Sequence, residues 1–284
     1  MAETPRTERP KRRLIQTRVH DVRRLTPHLI RVVVGGDDLA GFPAGAFTDH
    51  YVKLQIPPPG APYSAPFDAE DVKARLPRDQ WPRTRTYTVQ HWDGERNLLT
   101  LDFVHHGDSG VAGPWAAAAR PGDGLQLSGP GGAYAPDPDA DWHLMAGDES
   151  VVPAITASLE RVPAGRPVHV FVEVDGPDDE VELASPGDLR VTWLHRRGRP
   201  GDGDLLVDAV RGLDFPAGAV HAFVHGEASA VRALRRHLLV ERGVPREALS
   251  ISGYWKRDRT EEGWREDKPE WNRQVEADAA ATAV

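Results

Sequence analysis

The chain has no cysteine among its 284 residues. This absence removes disulfides, thiol nucleophiles, thiolate zinc sites and cysteine-ligated iron–sulfur clusters from its chemistry. Also missing is any apolar run approaching the ~20 residues that cross a bilayer as a helix. There is no basic excess: 35 Lys and Arg stand against 43 Asp and Glu, a net charge of −8. Nucleic-acid binders usually carry a basic face, so no nucleic-acid partner is expected, though a local basic pocket remains open. The 12 histidines form no His-Glu-x-x-His and no two-His-one-carboxylate pattern, and there is no Gly-x-Ser-x-Gly elbow. Neither a protein-bound metal nor a serine hydrolase is expected. Any redox role therefore needs an external cofactor to carry the electrons.

What is present falls into two styles. Residues 14–137 are strand-rich. Alternating or β-branched runs at 14–22, 28–34, 50–56, 83–92, 98–105 and 125–128 read as strands, with Asp93-Gly94 a hairpin turn. Residues 57–81 carry prolines and read as an irregular excursion, and 110–120 as a turn and helix. Six strands and one helix suit an antiparallel β-barrel. Pro136-Asp137-Pro138-Asp139 reads as a linker.

Over residues 141–258, strands at 142–146, 168–174, 190–194, 219–225 and 249–252 alternate with helices at 150–161, 205–211 and 227–242. That alternation implies a doubly wound, mainly parallel α/β domain, with ligands at the carboxyl ends of its strands. Residues 259–284 read as a charged tail containing Trp264 and Trp271, frayed from 276. Residues 1–12 read as a flexible tail. No apolar segment follows Arg12-Arg13, and the chain is expected to be cytoplasmic.

Several segments can carry chemistry. In Arg85-Thr86-Tyr87-Thr88, strand alternation puts Arg85 and Tyr87 on one face and Thr86 and Thr88 on the other. A cation suits a phosphate and a ring suits a planar group; taken alone, the segment reads first as a plain surface strand. The turn from His106 to Trp115 enters a helix, where exposed N–H groups attract phosphate. Gly147-Asp148-Glu149-Ser150 joins an apolar strand to a helix but departs from Gly-x-Gly-x-x-Gly. Asp148 and Glu149 would repel a phosphate unless they point away. Gly201-x-Gly203 and Gly129-x-Gly131 read as turns. Gly226-Glu227-Ala228-Ser229 is a second strand–glycine–helix junction, and Tyr254-Trp255-Lys256-Arg257 follows the last strand. Those aromatics could cover a flavin and those cations could draw in an anion. An ordinary βα turn and an aromatic core cap are the alternatives.

In this order the motifs resemble those of the siderophore-interacting proteins, FAD-dependent ferric-siderophore reductases of the ferredoxin-reductase-like superfamily, over roughly residues 14–262. The resemblance implies an FAD-binding barrel followed by an NAD(P)H-binding α/β domain. Arg85, Thr86, Tyr87 and Thr88 would contact FAD, with Tyr87 beside the isoalloxazine. Val104, His105 and His106 would lie at the cofactor, and Gly110, Val111, Ala112, Gly113 and Trp115 at its pyrophosphate. Gly110-Val111-Ala112-Gly113-Pro114 departs from the family's Gly-Pro-Ala-Ser type of turn. Asp49, His50 and Lys53 would sit near the flavin and substrate opening. Gly147, Asp148, Glu149 and Ser150, with Gly226, Glu227, Ala228 and Ser229, would flank the nicotinamide nucleotide. Tyr254, Trp255 and Lys256 would close over the flavin.

The implied substrate is a ferric siderophore, and the implied donor NADPH, NADH or reduced ferredoxin. Arg196 and Arg197 could hold a 2′-phosphate or form a solvated loop. Outer-sphere electron transfer strictly requires no catalytic residue; Lys53, Lys256 and Arg257 are the substrate-side candidates. A flavin reductase with another acceptor and a non-enzymatic siderophore-binding protein are the rival functions. A monomer or weak dimer is expected.

Overall fold

The computed structural model describes residues 13–197 and 204–281. The tail read over residues 1–12 and the Gly201-x-Gly203 turn lie outside the described residues. Six strands come first: β1 (Ile15–Thr26), β2 (Leu29–Gly35), β3 (Tyr51–Ile56), β4 (Arg83–Asp93), β5 (Leu98–Val104) and β6 (Gly124–Gly131). They close into an antiparallel barrel in the order β1-β2-β5-β4-β3-β6. The period of two produces this directly. Val52, Leu54 and Ile56 are fully buried, whereas Lys53 between them is exposed.

Residues 57–81, expected to be irregular throughout, contain α1 (Ala69–Arg75). Asp68 caps it, accepting from the N–H groups of Glu70 and Asp71. The excursion is tied to the barrel by Gln126, fully buried in β6, whose amide exchanges hydrogen bonds with the backbone of Phe67 at 3.0 and 3.1 Å. A short helix, α2 (Ala112–Ala118), buries Ala112 and Ala116 in the barrel core.

Next come β7 (Trp142–Asp148), β8 (Pro167–Val174), β9 (Asp188–His195), β10 (Val220–Glu227) and β11 (Leu249–Trp255), a parallel sheet ordered β11-β10-β7-β8-β9. Helices α3 (Val152–Leu159), α4 (Asp204–Arg211) and α5 (Ala228–Arg236) connect them. Side chains of β7 alternate between two cores: Met145 joins Ile155 and Val172 on one face, while Leu144 and Ala146 join Val207 and Leu234 on the other. The strand order reverses at β7, so a crevice opens outside the carboxyl ends of β7 and β10.

Residues 259–284, read as a charged tail, form instead a long helix, α6 (Glu261–Ala281). Trp264, Trp271 and Val275 recur on one face and pack against Ala228 and Val231 of α5. No helix among the described residues is long and apolar enough to cross a membrane.

Candidate functional site

The β3–β4 register pairs Leu54 with Arg85 and Val52 with Tyr87, so Arg85 and Tyr87 share the barrel's inner side. Lys53 pairs with Thr86, and both are exposed on the outer side. The Tyr87 ring packs on Phe103 at 4.2 Å, and Phe103 packs on Trp115 of α2 at 5.5 Å. Thr88 is buried beside this row. Burial raises the pKa of the Tyr87 hydroxyl, which stays protonated.

Arg85 opens onto a cleft of about 690 Å³ that it lines together with Arg78, Arg83, Gly110, Val111 and the first turn of α6. Its guanidinium meets Glu262 at 2.6 Å and Glu261 at 3.2 Å. Gly110 has φ +80 and nothing within 4 Å of where a Cβ would be, so its backbone is open to close approach. At Gly113 a Cβ would meet the Val104 carbonyl at 3.0 Å. Val104 and His105 lie just below, His105 donating its N–H to the His28 carbonyl. His106 is 6.3 Å from the His28 ring and within electrostatic reach of Glu149 and Arg196. The cleft has the volume of a cofactor pocket. Arg78, Arg83 and Arg85 outnumber its two glutamates, and Arg259 at its edge is paired with Asp267 at 2.9 Å. It therefore fits a group bearing a pyrophosphate.

The tip of the parallel sheet is built differently. A Cβ at Gly147 would come within 2.7 Å of the His225 carbonyl, and one at Gly226, whose φ is +122, within 2.5 Å of an Asp148 oxygen. Asp148 turns inward: one carboxylate oxygen accepts from the Glu227 N–H and the Trp255 indole, both at 2.9 Å, and the other from the Ser150 N–H and hydroxyl. Burial, reinforced by the neighbouring charge of Glu149, pushes its carboxyl up to about 6. Glu149 is held bidentately by Arg196 at 2.6 and 2.9 Å, with Glu173 3.6 Å from the same guanidinium. Both acids thus face internal partners. The fork of Arg196 is thus engaged by carboxylates of its own chain. Arg197 follows it in an exposed turn with φ +54.

Glu227 caps α5, its carboxylate accepting from the N–H groups of Ser229 and Ala230; it also accepts from the Arg257 N–H at 3.3 Å. Ala228, behind it, is buried against α6. Tyr254 packs on His225 with ring centroids 4.9 Å apart and lies within electrostatic reach of Asp49 and Tyr51 in the barrel. Trp255 is 38% exposed beside Lys256 and Arg257. Asp49 and His50 act mainly on backbone: Asp49 accepts from the N–H groups of Ala133 and Tyr134, and His50 bonds Gly45 and Gly131. They shape the strand ends around the opening.

Sequence reasoning missed Glu261 and Glu262. Their signal was Thr260-Glu261-Glu262, a capping threonine before an acidic first turn, and Thr260 does accept from the Gly263 N–H at 3.1 Å.

Two family models span most of the chain. Residues 18–134 match the siderophore-interacting FAD-binding domain, and residues 140–258 match the siderophore-interacting protein domain. The chain belongs to the siderophore-interacting protein family. It is 37% identical over 249 residues to the ferric vibriobactin reductase ViuB of Vibrio cholerae, covering 86% of this chain and 90% of that protein. It is 32% identical over 237 residues to the NADPH-dependent ferric-chelate reductase of Escherichia coli, covering 82% and 89%. The crystal structure of a siderophore utilization protein from T. fusca superposes with a TM-score of 0.76 at 38% identity, covering 87% of this chain and 94% of that one. Within the siderophore-interacting family the barrel is the FAD-binding part.

Proposed function

We propose that this siderophore-interacting protein is an FAD-dependent reductase of ferric siderophores that draws its electrons from NADH or NADPH. The observation that carries the reading is the juxtaposition at β11. Its end places Tyr254 within electrostatic reach of the barrel residues Asp49 and Tyr51, and Trp255 on Asp148 at the sheet's switch point. A flavin site and a nucleotide crevice therefore share a wall. The named activities of the Vibrio cholerae and Escherichia coli relatives support the same reading.

When bound, FAD supplies two-electron acceptance from a nicotinamide and one-electron delivery to Fe(III). The chain's own residues bind and orient. Arg85 pairs with the pyrophosphate, Gly110 permits its close approach, and Tyr87, fixed by Phe103, offers a ring to the isoalloxazine. Gly147 and Gly226 keep the crevice floor at backbone height. Asp148 and Glu149, held by internal partners, leave the crevice less repulsive to a nucleotide's phosphates. Lys53, Lys256 and Arg257 supply local attraction for an anionic chelate against the net charge of −8.

The test is capture of Fe(II) by a chromogenic chelator during turnover of a ferric siderophore. Fe(II) should accumulate with NADH or NADPH only when FAD is present. No accumulation with either nucleotide would overturn the donor assignment, and reduction by ferredoxin alone would reassign it.

A further inference from the structure

We propose that the first turn of α6 is an internal anion that competes with the FAD pyrophosphate for Arg85, linking cofactor loading to the C-terminal helix. The proposal rests on the flavin reading of the barrel cleft.

Arg85 is 13% exposed, and its fork is nearly full. Glu262 meets Nη1 at 2.6 Å and Nη2 at 3.3 Å, Glu261 meets Nε at 3.2 Å, and the Thr84 carbonyl accepts from Nη1 at 2.9 Å. A guanidinium has five N–H donors. A pyrophosphate cannot take the same fork bidentately while both carboxylates remain. Two carboxylates also carry the charge of the group they stand in for.

The contact is built to exchange. Arg265, one helical turn on, already donates to Glu261 at 3.2 Å. Glu261 released from Arg85 therefore keeps a cation, and Arg83 lies within electrostatic reach of Glu262. The remainder of α6 is anchored by Trp264, Trp271 and Val275. Displacement is thereby confined to the first turn, which Asp258, with φ +59, joins to β11.

α6 also grips the segment that would cover the flavin. The Lys268 ammonium donates to the Gly253 carbonyl at 2.7 Å, and a Cβ at Gly253 would lie 3.1 Å from the Trp264 ring. Tyr254 and Trp255 follow directly. The helix that holds Arg85 is the helix that fixes these two aromatics.

The experiment is a fluorescence titration of the full-length apoprotein with FAD. The double variant Glu261→Gln/Glu262→Gln should bind FAD about tenfold more tightly than wild type, as expected for release of two partly exposed ion pairs. Its apoprotein should melt a few degrees lower. Glu262→Gln alone should move affinity the same way by less. Glu266→Gln removes one charge from an exposed position of the same helix and should change neither. Unchanged or weaker FAD binding by the double variant would overturn the latch and make the glutamates positioning residues for Arg85. Failure of the wild type to bind FAD would instead overturn the flavin reading beneath it.

Discussion

At the barrel cleft, Arg85 is a cation whose partners are carboxylates from a distant helix. At the tip of the parallel sheet, Asp148 and Glu149 are carboxylates whose partners are N–H groups, a hydroxyl and Arg196. Each place is internally paired, but the remainders differ. The cleft keeps Arg78 and Arg83 beyond Arg85 and its two glutamates, while Arg259 is held by Asp267 at 2.9 Å. The tip has Asp148, Glu149 and Glu173 around one arginine. Surplus positive charge in a recess suits an anionic ligand that stays. A tip whose acids are internally bonded but outnumber their one arginine suits an anionic ligand that arrives and leaves, as the proposed donor nucleotide would.

The largest expected effect breaks the first half of that contrast. Arg85→Ala should weaken FAD binding by about 100-fold, the scale of a lost charge-assisted hydrogen bond, while leaving nicotinamide affinity within a few-fold. Parallel titrations with the two ligands check it.

Acid should find the α/β half first. His225 and His143 are buried and held neutral, with pKa values pushed down by burial to about 3 and about 4. An unfolded histidine takes its proton near pH 6.5, so the unfolded state binds more protons below that pH. Stability is complete above 6.5 and falls as pH drops through this window, by roughly 2.5 kcal/mol per histidine at pH 4.5. His143 has no hydrogen-bond partner at either ring nitrogen. His143→Leu should therefore flatten its share of the profile, measured by urea unfolding at pH 7 and 4.5.

Gly226→Ala would sharpen the second half. It forces a side chain into φ +122 and against Asp148, at a cost of about 1–3 kcal/mol. Nicotinamide binding should weaken, and FAD affinity should hold within about twofold. Smallest is Lys256→Gln, which should lower turnover of an anionic ferric chelate two- to five-fold at low salt, the range of one screened surface charge, and not at all at high salt.

Much of this was legible in the sequence wherever side chains obey a local period. Alternation in 83–92 placed Arg85 and Tyr87 on one side before any contact was known, and the register with Leu54 and Val52 agrees. The doubly wound half followed from alternating strands and helices. What stayed hidden depends on residues meeting across long separations. Charges dominate 259–284 and Pro269 interrupts it, so three apolar residues spaced seven and four apart did not declare a helix. The pairing of Arg196, just after β9, with Glu149, 47 positions away, has no local signal. The bonds of Asp49 and His50 to Gly45, Gly131, Ala133 and Tyr134 likewise join segments that no local period connects.

The most direct measurement is the visible spectrum of the FAD-loaded protein under anaerobic conditions, followed on adding NADH or NADPH and then a ferric siderophore. The flavin bands should bleach with a nicotinamide and return with the ferric chelate. Bands that bleach but do not return would contradict the ferric-siderophore assignment, and a protein that cannot be loaded with FAD would contradict the whole account.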